Sequence, residues 1–352
     1  MIAAPARTEA PTGPSRPRSA SRRRRRVLGL LGCLVGLVVV TVLSVSIGSR
    51  EVSLEEIVRA FTDPSATGLA EDAVRARVPR TVLGLLVGAA LGLSGAIMQG
   101  VTRNPLADPG ILGVNTGASL FVVTGIAFFG MTTVTDYIWL ALAGAAASAV
   151  FVYTVGSLGR GGATPLKLAL AGAATTAALS SLVSAIVLPR VDALQVFRFW
   201  QIGGIGGANW DAMGAVLPFL AVGAALSLLS ARSLDALALG DELATGLGGR
   251  IKTARAVAAL GGVLLCGAAT AVAGPIGFIG LVVPHFARML VGSDYRWILP
   301  YSVGFGALLL LLADVVGRVV TRPSDIEVGI ITALIGAPVF IAVVRRQKLK
   351  EL

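Results

Sequence analysis

Histidine is almost absent: His285 is the single one in 352 residues. Two-histidine metal sites and the H-E-x-x-H zinc pattern are therefore excluded. Cysteine is scarce as well. Cys33 and Cys266 each lie inside an apolar run and read as small buried residues, neither a disulfide nor a metal pair. No glycine-rich loop carries the lysine that nucleotide phosphates need, and the stretch Gly203–Gly207 lacks one. No paired-carboxylate, Ser/His or metal constellation stands out, which argues against an intramembrane enzyme. The most informative shortage is charge. Charged residues are 14% of the chain, against about 25% in soluble domains. Such a chain cannot cover a water-facing surface, and a soluble enzyme, a nucleic-acid binder and a disordered protein are all excluded.

What is present is apolar. Residues of the hydrophobic class make up 55%, and glycine contributes 44 positions, a residue that lets membrane helices approach closely. Uncharged stretches run over Val27–Ser49, Thr81–Thr102, Pro109–Thr135, Tyr137–Gly159, Leu168–Pro189, Ala212–Ala231, Ala256–Pro284, Trp297–Ala313 and Val328–Val344. About 20 residues cross a bilayer. The stretch from Ala256 is too long for one span, and Gly274-Pro275 lies inside it. Proline breaks a helix where glycine permits a turn, so this stretch is split in two. The expectation is an all-α polytopic membrane protein of ten transmembrane helices: a disordered tail over 1–26, a membrane domain over 27–345 and a short tail over 346–352.

Charge supports that count. With ten spans both termini share one side, and twenty-one of the 30 Lys and Arg lie there against nine on the other. This follows the positive-inside rule and predicts cytoplasmic termini in a cell membrane. The run Arg22–Arg26 fits the same rule, the alternative being a surface for anionic lipid or nucleic acid. The segment 50–80 reads as a long outer loop.

Several segments are specific. Gly84, Gly88 and Gly92 recur every four residues and predict a close helix crossing. Asp108 and Pro109 sit where a helix cap and its first residue belong. Asp314 is the clearest acid inside a span, and Arg318 lies at i+4, where an ion pair forms readily. The inner loop 232–255 reads as two short amphipathic helices broken at Gly240. By physics alone, they lie in a partner's groove or on the lipid interface.

The motifs together resemble one family. They are R-x-P-R at Arg77–Arg80, G-A-A-L-G-L-S-G-A-I-M-Q from Gly88 to Gln99, and R-N-P-L-A-D-P-G-I-L-G from Arg103 to Gly113. L-A-L-G at Leu237–Gly240, G-P-I-G-F-I-G-L-V-V-P-H from Gly274 to His285, and I-G-A-P-V-F at Ile335–Phe340 complete the set. The chain is similar over about residues 50–345 to FecCD-type permeases, the membrane subunits of ABC importers for ferric siderophores, haem and vitamin B12. Phe197–Trp200 resembles the catecholate-siderophore type. The resemblance implies the ten-helix type II ABC importer fold, a transport subunit without cofactor or metal, and a ferric siderophore as cargo. Its implied partners are a second permease subunit, cytoplasmic ATPases that hydrolyse the ATP, an outer substrate-binding lipoprotein and membrane lipid, with no nucleic acid.

The resemblance also implies roles for residues. Leu237, Leu239, Gly240, Glu242, Leu243 and Leu247 fall in the segment that couples to the ATPase. Arg77, Arg80 and Arg318 fall where the binding protein docks. Apart from the resemblance, Thr164, next to Pro165 in the inner loop before the fifth span, is read as lining an inner gate. His285 is read as a packing group. One departure stands out: the family's E-x-P-V-G before the last span is here Asp325-Ile326-Glu327-Val328-Gly329, which lacks the helix-starting proline. The competing reading is an ion-coupled secondary transporter, which a chain with so few membrane carboxylates fits poorly.

Overall fold

A computed structural model describes residues 18–48, 52–63, 65, 66, 68–159, 164–240, 243, 246, 251–322 and 324–348. Among these residues the structure is helical, with no strand. The helices are α1 (Arg18–Ser46), α2 (Leu54–Thr62), α3 (Leu69–Thr102), α4 (Val114–Phe129), α5 (Val134–Ser157), α6 (Pro165–Val187), α7 (Val191–Ile202), α8 (Trp210–Leu229), α9 (Ala231–Ala238), α10 (Ile251–Ala273), α11 (Ile279–Val291), α12 (Tyr295–Val320) and α13 (Val328–Lys348). Seven are long and apolar enough to cross a membrane: α1, α3, α5, α6, α8, α10 and α12. Three shorter apolar helices, α4, α11 and the first part of α13, complete the ten expected spans.

The break at Gly274 is real. Gly274 adopts φ +69, a left-handed conformation that costs glycine little, and its N–H closes α10 on the Thr270 carbonyl at 2.8 Å. Pro275 then prevents continuation, and α11 starts at Ile279. Two boundaries differ from the sequence reading. The arginine run is helical, so α1 begins at Arg18, inside the segment read as disordered. The outer loop 50–80 is also mostly helix. Ser53 and Glu56 form a reciprocal cap on α2. The helix α3 starts at Leu69 and runs for 34 residues, about 51 Å at the α-helical rise, well beyond the hydrocarbon layer. Pro79 lies within it.

α3 and α10 form the centre. Their apolar windows are 78% and 72% buried, against 17% for α1 and 22% for α6. The glycine face of α3 explains its position. Any side chain at Gly88 or Gly92 would meet the backbone of Gly306 or Ser302 on α12, and at Gly95 the backbone of Gly280 on α11. The predicted close crossing therefore exists and has α12 as its partner. Both cysteines are buried and free.

The bundle has two ends. The near end holds the starts of α1 and α12, the connector 103–113 and α9. Here Asp108 accepts the Gly110 N–H at 2.8 Å, with Pro109 opening a 3-10 turn over Pro109–Leu112. Burial pushes the Asp108 carboxyl up from its ordinary range. The far end holds α2, α7, the close of α10 and the starts of α8 and α13.

Candidate functional site

Arginines organise the far end. Arg80 donates to Asp314 from Nε at 3.0 Å and from Nη2 at 2.8 Å, and to Asp325 from Nη1 at 2.7 Å. Arg318 reaches the other Asp314 oxygen at 2.9 Å, so the i+4 pair anticipated from sequence forms. Arg318 also donates to the Ser44 carbonyl of α1 and the Ile47 carbonyl just past its end, each at 2.9 Å, and to the Ser44 hydroxyl. Arg77 donates to the Val45 and Ser46 carbonyls at 3.2 and 2.9 Å. Two guanidinium groups thus satisfy the last carbonyls of α1, at the negative end of its dipole. The three arginines assigned to docking are brought together, but in a packed network. Asp314 is fully buried and Arg318 is 2% exposed.

Beside this network three chain breaks interlock. Gly204 donates its N–H to the Ala273 carbonyl at 2.8 Å, and Gly329 donates to the Gly203 carbonyl at 3.0 Å. The glycine-rich stretch that lacked a phosphate-loop lysine is therefore a backbone junction joining α7, α10 and α13. The Glu327 carboxylate lies against Gly204, where a side chain would collide with it. Burial pushes Glu327 above the usual carboxylate range, partly offset by Arg80. α13 begins at Val328 without the family's proline, and an acid just before a helix start is electrostatically favourable.

Sequence reasoning missed α7. Its Phe197 and Trp200 are buried and stacked at 5.9 Å, with Tyr137 edge-on to Trp200 at 6.5 Å. Arg198 and Phe199 between them face outward. The motif F-R-F-W carried this signal, since aromatic anchors three apart share a helix face and leave the middle pair on the other. Thr270 donating to Asn115 at 2.9 Å between α10 and α4 had no sequence signal, because neither residue is unusual in its own segment.

At the near end, α9 forms the first of the two short helices expected in the inner loop. Leu234 and Leu237 are buried and fix it to the bundle, and Asp235 accepts the Tyr295 N–H at 2.8 Å. Leu237 is thus an anchor, 1% exposed, whereas Leu239 and Leu243 stand out at 59% and 63%. Gly240 separates the two halves at φ +105. Glu242 and Leu247 lie outside the described residues. Next to α9 is a pocket of about 250 Å³ lined by Gln99, Arg103, Ala238, Arg288, Ser293 and Tyr295 among others. Thr164 caps α6 by accepting the Lys167 N–H at 3.4 Å, with Pro165 next in sequence.

A third feature is the exposed side of α6. Leu166, Leu170, Ala173, Ala177, Ser180 and Ser184 are all exposed and follow helical spacing along one face. That face grades from leucine at the near end to hydroxyls at the far end.

These features, two ends of different character joined by ten apolar helices, can be set against known proteins. The FecCD transport family matches residues 36–346. The chain belongs to the FecCD family. This FecCD chain is 43% identical over 322 residues to the ferric enterobactin transport system permease protein FepD of Escherichia coli, covering 92% of the chain and 96% of that protein. It is 40% identical to the probable siderophore transport system permease protein YfiZ of Bacillus subtilis, covering 90% and 96%. Among solved structures, a metal-chelate type ABC transporter in an inward-facing conformation superposes with a TM-score of 0.77 at 30% identity, covering 90% of this chain and 98% of that one. As a FecCD member it is a multi-pass membrane permease and a transport subunit.

Proposed function

We propose that this chain imports an iron–siderophore complex across the cytoplasmic membrane as the permease subunit of an ATP-driven transporter. The observation that carries the reading is its 43% identity, over nearly its whole length, to a ferric enterobactin permease. The near end faces the cytoplasm, where the positive-inside rule places the arginine-rich termini. There the exposed Leu239 and Leu243 offer apolar contacts to an ATPase subunit, while Leu234 and Leu237 hold their segment to the bundle. A second permease subunit, identical or homologous, faces the small-residue side of α6, and the pathway runs between the two. Such a wall binds weakly, which suits release of a cargo whose iron is already chelated.

At the far end a substrate-binding lipoprotein delivers the chelate. Docking through Arg77, Arg80 and Arg318 works by exchange: acids of the incoming protein compete with Asp314 and Asp325 for Arg80 and Arg318, and with the Val45 and Ser46 carbonyls for Arg77. Arg198 and Phe199 present a cation and an aromatic face to an anionic aromatic chelate. ATP binding and hydrolysis then move the near end and alternate the access. Thr164, at the start of α6, lies at the inner gate.

The test is uptake of labelled ferric siderophore, haem and vitamin B12 in cells lacking the chain. Siderophore uptake should vanish and return on re-expression. It should fail on ATP depletion and survive collapse of the proton gradient; the reverse dependence would support a secondary transporter. Leu239→Asp should abolish uptake with the protein still folded in the membrane, and normal uptake overturns the coupling role.

A further inference from the structure

The arginine run has no task in the import cycle, yet the structure treats its members differently. α1 continues through it without interruption, and the uncharged stretch starts at Val27. The arginines therefore lie where the helix leaves the hydrocarbon, at headgroup depth. Arg23, Arg24 and Arg25 are exposed and have no acidic partner among the described residues. Immediately along the helix, Leu28, Leu31, Leu34 and Val35 are exposed too. One peripheral helix thus presents guanidinium groups and, next to them, bulky apolar side chains. That sequence of chemistries matches a phospholipid, phosphate first and acyl chain below. At that depth the anionic groups nearest to the exposed guanidinium groups are the headgroups of the lipids that surround α1.

Arg26 turns inward instead. It donates to the Val291 carbonyl at 2.6 Å and to Asp294 at 3.3 Å, and lies over the Trp297 ring at 5.8 Å. Its own carbonyl accepts the Tyr301 hydroxyl at 2.7 Å. The turn it clasps, between α11 and α12, is held on its other side by α9, where Asp235 accepts the Tyr295 N–H at 2.8 Å and faces Arg296 at 4.0 Å. Polar contacts therefore run without a gap from the arginine run to the segment assigned to ATPase coupling.

We propose that the start of α1 binds anionic phospholipid headgroups of the inner leaflet, and that the chain Arg26–Asp294–Tyr295–Asp235 carries this occupancy to the coupling segment. The second half rests on the coupling role assigned to α9; the first half does not. Basic side chains at an anionic membrane surface gain enough each to change lipid selectivity by about fivefold.

Lipid selectivity is read on the purified full chain in vesicles, as association of spin-labelled phosphatidylglycerol relative to phosphatidylcholine. Replacing Arg22–Arg25 by glutamine should remove the preference, and replacing them by lysine should keep most of it. An unchanged preference in the glutamine variant overturns the binding surface. ATPase turnover of the complete transporter is then compared in phosphatidylcholine with and without phosphatidylglycerol. Wild type should respond to the anionic lipid. Arg26→Gln should keep the lipid preference of the isolated chain and lose the response of the complex. A retained response overturns the relay. Loss of ATPase assembly in lipid-free detergent on removing Arg22–Arg25 assigns the run to a protein partner and overturns the lipid proposal. A wild-type complex without ATPase turnover in either lipid counts against the import reading itself, and leaves the selectivity result standing.

Discussion

α1 and α6 are the least buried of the long apolar helices, at 17% and 22%, yet their outward sides differ. α1 shows Leu28, Leu31, Leu34, Val35, Val38 and Val42, bulky side chains that match lipid tails. α6 exposes Leu166 and Leu170 near its start, but beyond them the same face shows Ala173, Ala177, Ser180 and Ser184, which give lipid little to pack against and allow another surface to approach closely. Low burial alone assigns neither helix. The size and polarity of what is left uncovered separate the two, and they support the proposal that α1 faces lipid and α6 faces the pathway.

The largest effect should come from filling the α6 face. Ala177→Trp is expected to reduce chelate uptake to background, with Val38→Trp on α1 leaving it unchanged. Equal tolerance at both positions breaks the contrast. The next effect concerns how so exposed a helix as α1 is kept in place. Its far end depends on Arg77 and Arg318, and Arg318 shares Asp314 with Arg80. Asp314→Asn leaves two guanidinium groups without their common buried carboxylate and should cost about 3–5 kcal/mol, read as a lowered melting temperature in detergent. An unshifted melt means that the network does not hold the fold.

α6 has a cap where α1 has arginine clasps. Thr164→Ala should cost about 1 kcal/mol, with uptake per folded molecule unchanged if capping is the residue's whole task. A fall in uptake beyond the loss of folded protein assigns Thr164 to the gate. The smallest effect is at Glu327. Its raised pKa means the folded chain holds the proton more tightly than the unfolded chain does. Its contribution to stability is therefore present at low pH and lost as pH rises through the folded value. Glu327→Gln should raise the melting temperature slightly at neutral and alkaline pH, with the gain disappearing in acid. A gain that is independent of pH excludes ionisation as its cause.

Much of the framework was legible beforehand because bilayer physics is one-dimensional. Uncharged length gave the ten apolar helices, and Gly274-Pro275 located the break between α10 and α11. Gly88 and Gly92 announced a close crossing, and the 314/318 spacing an ion pair. The misreadings share a cause. Residues 54–62, 69–80 and 191–202 mix charged and apolar side chains, and their helices are fixed by caps, by packing and by buried aromatics such as Phe197 and Trp200. The run at 18–26 was misjudged because its helix is an extension of α1, nucleated by the apolar turns that follow.

The candidate sites divide in the same way. Their location near positions 77–80, 237–243 and 314–329 came from motif and order. Which side chains are exposed came from packing alone: Leu237 and Leu239 are two residues apart, yet one is buried against the bundle and the other stands out from it. Arg80 and Arg318 are 238 positions apart and share one aspartate, a pairing no local pattern contains. Residue type and spacing thus determined that this chain crosses a membrane, how often, and to which family it belongs. Only the tertiary structure decided which charges are spent inside the protein and which remain for partners, because burial and pairing depend on neighbours from distant segments.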